Sequence, residues 1–326
     1  MVASAGVQPL AGFLVVDLTR YLPGPFASRE LLRLGARVVR LESPDGDPLR
    51  AIAPEWDAAL NAGKESVVCD LKREPELGRA LVARADVVLE GFRPGVAKRL
   101  GIGPDDVPDT VVYCSLTGFG DEGPHAGRVG HDLNYMGWAG ALADTAPAVP
   151  PVQAADLAAG ALQTVAQVLA ALLERERSGR AGRLVVSMTH GTHGLVAHRL
   201  AGEPVPRILT GGLACYRVYP TADGRWLTVA ALEERFFVRL CELIDRPELV
   251  PLHYDAAAQG AVSEELVDVF AARPLDAWLD LFEGEAVAVG PVATLEEAAA
   301  VFGRPAEGTP PALGKHTDAW RRELGL

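Results

Sequence analysis

The chain has 326 residues, 49% hydrophobic and 23% charged, a balance that describes a globular protein and a length that suits two domains better than one core. With 31 Lys and Arg against 43 Asp and Glu, the net charge is −12. Such a surface repels polyanions, which excludes nucleic acid as an expected partner and requires any anionic ligand to be met by a local basic pocket.

In chain order, apolar β-branched runs at 13–17, 37–41, 66–71, 86–90 and 110–115 alternate with helix-like segments such as 26–34 and 74–85. That alternation predicts βαβ units around a largely parallel sheet. Pro25 suits a first helical turn and Gly35 a C-terminal cap. Residues 157–177 then place Leu157, Ala161, Val165, Val168, Leu169 and Leu172 at helical spacing, with Asp156 where an N-cap belongs and Gly179 beyond the basic last turn. Between 194 and 212 the chain becomes loop-like, with Pro204, Pro206 and a Gly pair, and reads as a linker. A second unit follows. Strands are expected at 216–219 and 225–231 around the turn Ala222-Asp223-Gly224, then a helix at 234–244 with Phe237, Leu240, Cys241 and Ile244 on one face. An acidic helical region at 263–285 and a returning strand at 287–292 complete it. The expected organisation is α/β: a large domain over 1–195, a linker over 196–212, a small α/β domain over 213–292, and a segment over 293–326 that returns towards the large domain.

Four cysteines, Cys69, Cys114, Cys215 and Cys241, stand far apart with no Cys-x-x-Cys pair, so neither a zinc site nor a disulfide framework is expected. A reducing cytoplasm fits. Residues 1–10 lack a basic region ahead of an apolar run, and no later segment reaches spanning length without Gly, Pro or charge, so no membrane is expected as a partner. The run Thr189-His190-Gly191-Thr192-His193-Gly194 with His198 has metal-like spacing, yet it lacks nearby carboxylates and its glycines weaken the helix that would align the rings; no metal is expected.

The most informative stretch is Gly130-His131-Asp132-Leu133-Asn134-Tyr135, which joins an imidazole to a carboxylate just after a Gly-rich turn. Alone, a His-Asp pair reads as a surface pair or a helix cap. Its setting changes that reading: Ser115-Leu116-Thr117-Gly118-Phe119-Gly120 lies upstream, and the isolated Asp156 precedes the long helix downstream. With residues 18–34, Asp70-Leu71-Lys72, Phe92-Arg93-Pro94-Gly95-Val96 and 227–237, the hexapeptide resembles the α-methylacyl-CoA racemases of the family III CoA-transferase (CaiB/BaiF) superfamily. The resemblance keeps its order from about residue 10 to residue 291 and fades beyond.

This resemblance implies a Rossmann-like large domain with a parallel sheet, a smaller α/β domain, and two chains interlocked as a homodimer. It implies that His131 and Asp156 face each other across the α-carbon of an acyl-CoA thioester, one taking a proton while the other returns one to the opposite face. Glu233 matches a glutamate that bonds the catalytic imidazole and fixes its tautomer; read alone, it is an acidic residue favoured in a first helical turn. Arg93, Asp70, Leu71 and Lys72 match positions lining the nucleotide, and Gly130, Asn134 and Tyr135 lie at the pantetheine end. Where the racemases carry an arginine, this chain has Ser43, and Arg40, Lys64 or Arg50 stand as substitutes. No cofactor is implied beyond CoA as the carrier of the substrate. A family III CoA-transferase, with Asp132 attacking the acyl-CoA to form an anhydride, is the alternative, and His131 before that Asp is what argues against it. A third reading is a homologue that binds an acyl thioester without turnover, because the connections at 144–152 and 194–212 and the region after 291 are short relative to the racemases.

Overall fold

The structure, a computed structural model, describes residues 7–304 and 308–326. Two compact units are present: the chain up to His198 together with the C-terminal segment ending at Leu326, and Arg199–Arg304.

In the larger unit, β1 (Leu14–Asp17), α1 (Pro23–Arg33), β2 (Arg37–Glu42), α2 (Leu49–Ile52), α3 (Pro54–Asn61), β3 (Glu65–Val68), α4 (Glu76–Arg84), β4 (Val87–Glu90), α5 (Val96–Leu100) and β5 (Val112–Thr117) alternate as expected. There follow α6 (Asp132–Trp138), a π-helical stretch Ala155–Leu162 that runs into α7 (Gln163–Ser178), β6 (Arg183–Ser187) and α8 (Met188–Val196). The strands form a six-stranded sheet in the order β3-β2-β1-β4-β5-β6, with every pairing parallel. The central strands β1 and β4 are fully buried and dominated by Val and Leu, as strands covered on both faces require. One face packs Ala27, Leu31, Val168 and Leu172 against Val15 and Val112; the other packs Leu77, Leu81 and Ile102 against Val16 and Val88.

The strand order reverses direction between β1 and β4, and in an open parallel sheet the crevice beyond the carboxyl ends at that point is where ligands bind. Two buried carboxylates shape it. Asp17, at the end of β1, accepts the Thr19 N–H at 2.9 Å and the Thr19 and Ser28 hydroxyls. Glu90, at the end of β4, accepts the Phe92 N–H at 2.6 Å. Gly24 is required beside them, since a β-carbon there would sit 1.9 Å from the Thr19 hydroxyl.

The C-terminal segment closes the sheet edge at β3. The His316 N–H donates to the Ser66 carbonyl at 2.9 Å, the Ser66 N–H donates to His316 Nδ1 at 3.0 Å, and Trp320 is buried with its indole N–H on Glu65. These contacts cover backbone groups that an edge strand would leave open.

In the smaller unit, β7 (Tyr216–Pro220), β8 (Trp226–Ala230) and β9 (Val289–Pro291) make an antiparallel sheet in that order. It shares a core with α9 (Glu234–Leu243), α10 (Gln259–Phe270) and α11 (Leu275–Phe282), centred on Phe237, Leu240, Phe270 and Trp278. The single helical region expected over 263–285 is two helices, because Pro274 has no N–H with which to continue α10 and instead precedes α11. Here α12 (Leu295–Phe302) stays with the smaller unit, so the return to the larger unit comes later than residue 293.

The helical run Ala155–Ser178 is long and apolar enough to cross a membrane by length and composition. Its apolar face, with Ala155, Ala161, Val168 and Leu172, lies in the core of the larger unit.

Candidate active site

Two adjoining cavities occupy the crevice at the β1/β4 switch point and share Leu18, Thr19, Arg20, Phe92 and Val96 as a common wall. One, of about 570 Å³, is lined by His131, Gly130, Tyr135 and Asp156, with Gly118, Tyr21, Met188, Arg93 and Arg128. The other, of about 700 Å³, is lined by Ser43, Asp70, Leu71, Lys72 and Arg73.

His131 is the N-cap residue of α6 in extended conformation, and its N–H donates to Asn134 Oδ1 at 3.1 Å. Its ring meets Tyr21 edge-on, with centroids 5.9 Å apart and planes at 88°. Tyr135, one turn on, is buried against Phe119 and donates its hydroxyl to the Gly130 carbonyl, which anchors the turn ahead of the imidazole. Gly118 has to be glycine for that packing, since a β-carbon would fall 2.5 Å from the Tyr135 ring.

Asp156 is not an N-cap. The helix starts at Ala154, so Asp156 sits in the first turn of the π-helical stretch, and the capping role passes to another element: Asp132 Oδ1 accepts the Asp156 N–H at 2.9 Å. π-Helical turns recur at functional positions. Burial first, and the nearby Asp132 charge second, push the Asp156 carboxyl up to about 7. At neutral pH both its acid and its base forms are therefore populated. Asp132 itself does not line the cavity.

The other expected residues take different places. Arg40 lines neither cavity: it is 2% exposed and held by Asp57 at 3.1 Å, Asp47 at 3.3 Å and Glu42 at 3.5 Å, so it is committed to an internal charge network and is corrected from a nucleotide ligand to a structural ion. The two other substitutes for the missing arginine are likewise engaged. Lys64 is buried, with its ammonium on the Pro25 carbonyl, Ser28 and Asn61, and Arg50 forks onto Glu42. Asn134 also lines neither cavity; it acts by capping His131. Arg93 lines the His131 cavity and not the one that holds Lys72. Asp70 shapes its loop, its Oδ1 accepting the Lys72 N–H at 3.0 Å. Glu233 belongs to the smaller unit, exposed at the N-cap of α9.

Sequence reading missed Arg20, Tyr21, Thr19 and Arg128. A signal existed for Arg20, which comes three residues after the end of β1, where a switch point places ligand-contacting loops. Nothing comparable marked Arg128. Among the described residues no group of three or more His, Cys, Asp or Glu converges as a metal site. His190 bonds Ser187 at 2.8 Å, and His193 bonds the Ala139 carbonyl at 3.1 Å.

A parallel sheet has a crevice at its switch point, where one cavity is lined by an imidazole, a carboxyl raised to about 7 and three arginines, groups suited to acid–base chemistry on an anionic ligand. Residues 10–303 match the model of CoA-transferase family III, and the chain belongs to that family. It is 35% identical over 309 residues to the alpha-methylacyl-CoA racemase of Mus musculus, covering 89% of this chain and 79% of that one. It is 32% identical over 322 residues to the acetyl-CoA:oxalate CoA-transferase of Acetobacter aceti, covering 89% and 82%. A crystal structure of Rv3272 from M. tuberculosis superposes with a TM-score of 0.83 at 29% identity, over 96% of this chain and 99% of that one. The family thus contains racemases and CoA-transferases.

Proposed function

We propose that this enzyme is a racemase or epimerase of 2-methyl-branched acyl-CoA, exchanging the α-proton between two bases through an enolate. The observation that carries the reading is that His131 and Asp156 both line one cavity while Asp132, the nucleophile of the transferase alternative, does not. A neutral His131 imidazole takes the α-proton; the C–H electron pair moves into the thioester enolate, which then takes a proton from the Asp156 carboxyl on the other face. For the opposite enantiomer the roles exchange. A carboxyl near 7 serves both directions, since it can give or accept a proton at neutral pH. In the second cavity Arg20, Lys72 and Arg73, standing among the carboxylates Glu42, Asp45, Asp47 and Asp70, are the groups that would meet the phosphates of the CoA carrier, and no cofactor beyond CoA is needed.

Incubation with a 2-methylacyl-CoA in deuterium oxide tests this directly. α-Deuteration with loss of optical purity supports it, and CoA transfer to an added acid without α-exchange overturns it. We also propose a homodimer. Its support is α12, which has no buried residue and exposes Leu295, Val301 and Phe302. Sedimentation at micromolar concentration would show a dimer, and a monomer would refute it.

A further inference from the structure

Three arginines line the His131 cavity: Arg20, Arg93 and Arg128. Among the described residues none of them is paired with a carboxylate, in a protein whose net charge is −12 and whose other arginines are largely engaged by Asp or Glu. Arg20 also lines the cavity with Lys72, and Arg93 follows Phe92 of the common wall. Arg128 does neither: it belongs only to the cavity with the two bases, three residues before His131. Although exposed, it is held on two sides. Its guanidinium lies over the Trp138 ring at 4.6 Å, and its Nε donates to His125 Nδ1 at 3.0 Å, which leaves the two terminal nitrogens uncommitted. A planar cation held on an aromatic face with two free N–H edges is the arrangement that recognises a carboxylate bidentately.

We infer that Arg128 recognises a second, terminal carboxylate on the acyl group, so that the substrates of this site are monothioesters of dicarboxylic acids. The inference rests on the acyl-CoA reading of the site and names its substrate class. An anionic acyl terminus entering an acidic protein calls for a cation in the cavity that receives the acyl group.

The test is a binding comparison by titration calorimetry with glutaryl-CoA, pentanoyl-CoA and CoA itself, on the wild type, Arg128→Gln and Arg128→Lys. Glutaryl-CoA and pentanoyl-CoA share a chain length and differ in the terminal carboxylate. The wild type should bind glutaryl-CoA at least about tenfold tighter than pentanoyl-CoA, Arg128→Gln should bring that ratio close to one, and Arg128→Lys should keep part of it. Retained binding of pentanoyl-CoA by the variants shows that they are folded. A wild-type ratio near one overturns the inference. So does an equal loss for all three ligands in Arg128→Gln, which would place the guanidinium on the nucleotide phosphates. The deuterium exchange assay separates the two readings: a glutaryl preference without exchange refutes the racemase and leaves Arg128 assigned, and exchange without a preference does the reverse.

Discussion

Replacing Asp132 by Asn probes the coupling at the centre of the site. Asn keeps an amide oxygen that can accept the Asp156 N–H, now held at 2.9 Å, and removes the negative charge that is the second cause, after burial, of the raised Asp156 value. A like charge at this range contributes on the order of one pKa unit, ~1.4 kcal/mol, so the Asp156 carboxyl should fall from about 7 towards ~6. The sign of the kinetic effect depends on direction. Where Asp156 delivers the proton it must be protonated, so the falling limb of kcat/KM against pH moves down by about one unit, and at pH 7.5 the rate drops by roughly eightfold. Where Asp156 takes the proton, the rising limb moves down by the same amount and the rate gains at acidic pH. The assay is α-deuterium exchange from each enantiomer between pH 5 and 9. Limbs that do not move would refute the coupling. Complete loss in both directions, with an acyl or CoA adduct trapped on Asp132 in the wild type, would instead make Asp132 the nucleophile of a transferase.

His131→Ala should abolish exchange from one enantiomer far more than from the other, because each base serves one face; equal, mild losses by the same assay would refute the two-base assignment. Asp156→Asn should stabilise the protein above pH 7. The folded value near 7 lies above the ordinary 3.8, so the folded state binds the extra proton and stability falls as pH rises through that window. The gain from Asn is about 2 kcal/mol after allowance for solvent at the cavity wall, and it vanishes below about pH 4; denaturant melts at both pH values check it. Arg20→Gln should weaken CoA and its thioesters alike by about tenfold in calorimetric titration, since Arg20 lines both cavities, and an effect confined to one thioester would show that it faces the acyl group.

The alternation of apolar runs with amphipathic helices is a local property, set by which residues each segment buries, and so the parallel α/β sheet was legible from the chain alone. The hexapeptide around His131 was legible only through its setting, since alone it reads as a surface pair or a cap and it is the order of the other segments that marked it as an acid–base candidate. β6 escaped the reading because it is a five-residue edge strand that is largely half-exposed and carries a weak hydrophobic signal. What only the tertiary structure decided are the pairings between distant segments. The strand order β2-β1-β4 puts the loop after Asp17 against the loop after Glu90 and so creates the crevice, yet no periodicity encodes which strands are neighbours. Arg40 looks like any strand-end cation in sequence. Its burial among Asp47, Asp57 and Glu42 is a consequence of how the loop after β2 folds back, and that removes it from the ligand. Asp156 and Asp132 are 24 residues apart, and each alone resembles a cap; the fold buries Asp156, which is the larger cause of its raised value, and brings Asp132 to cap its helix and add a second, smaller push in the same direction. Long-range electrostatics of this kind depends on distance and burial in three dimensions, which sequence spacing does not carry.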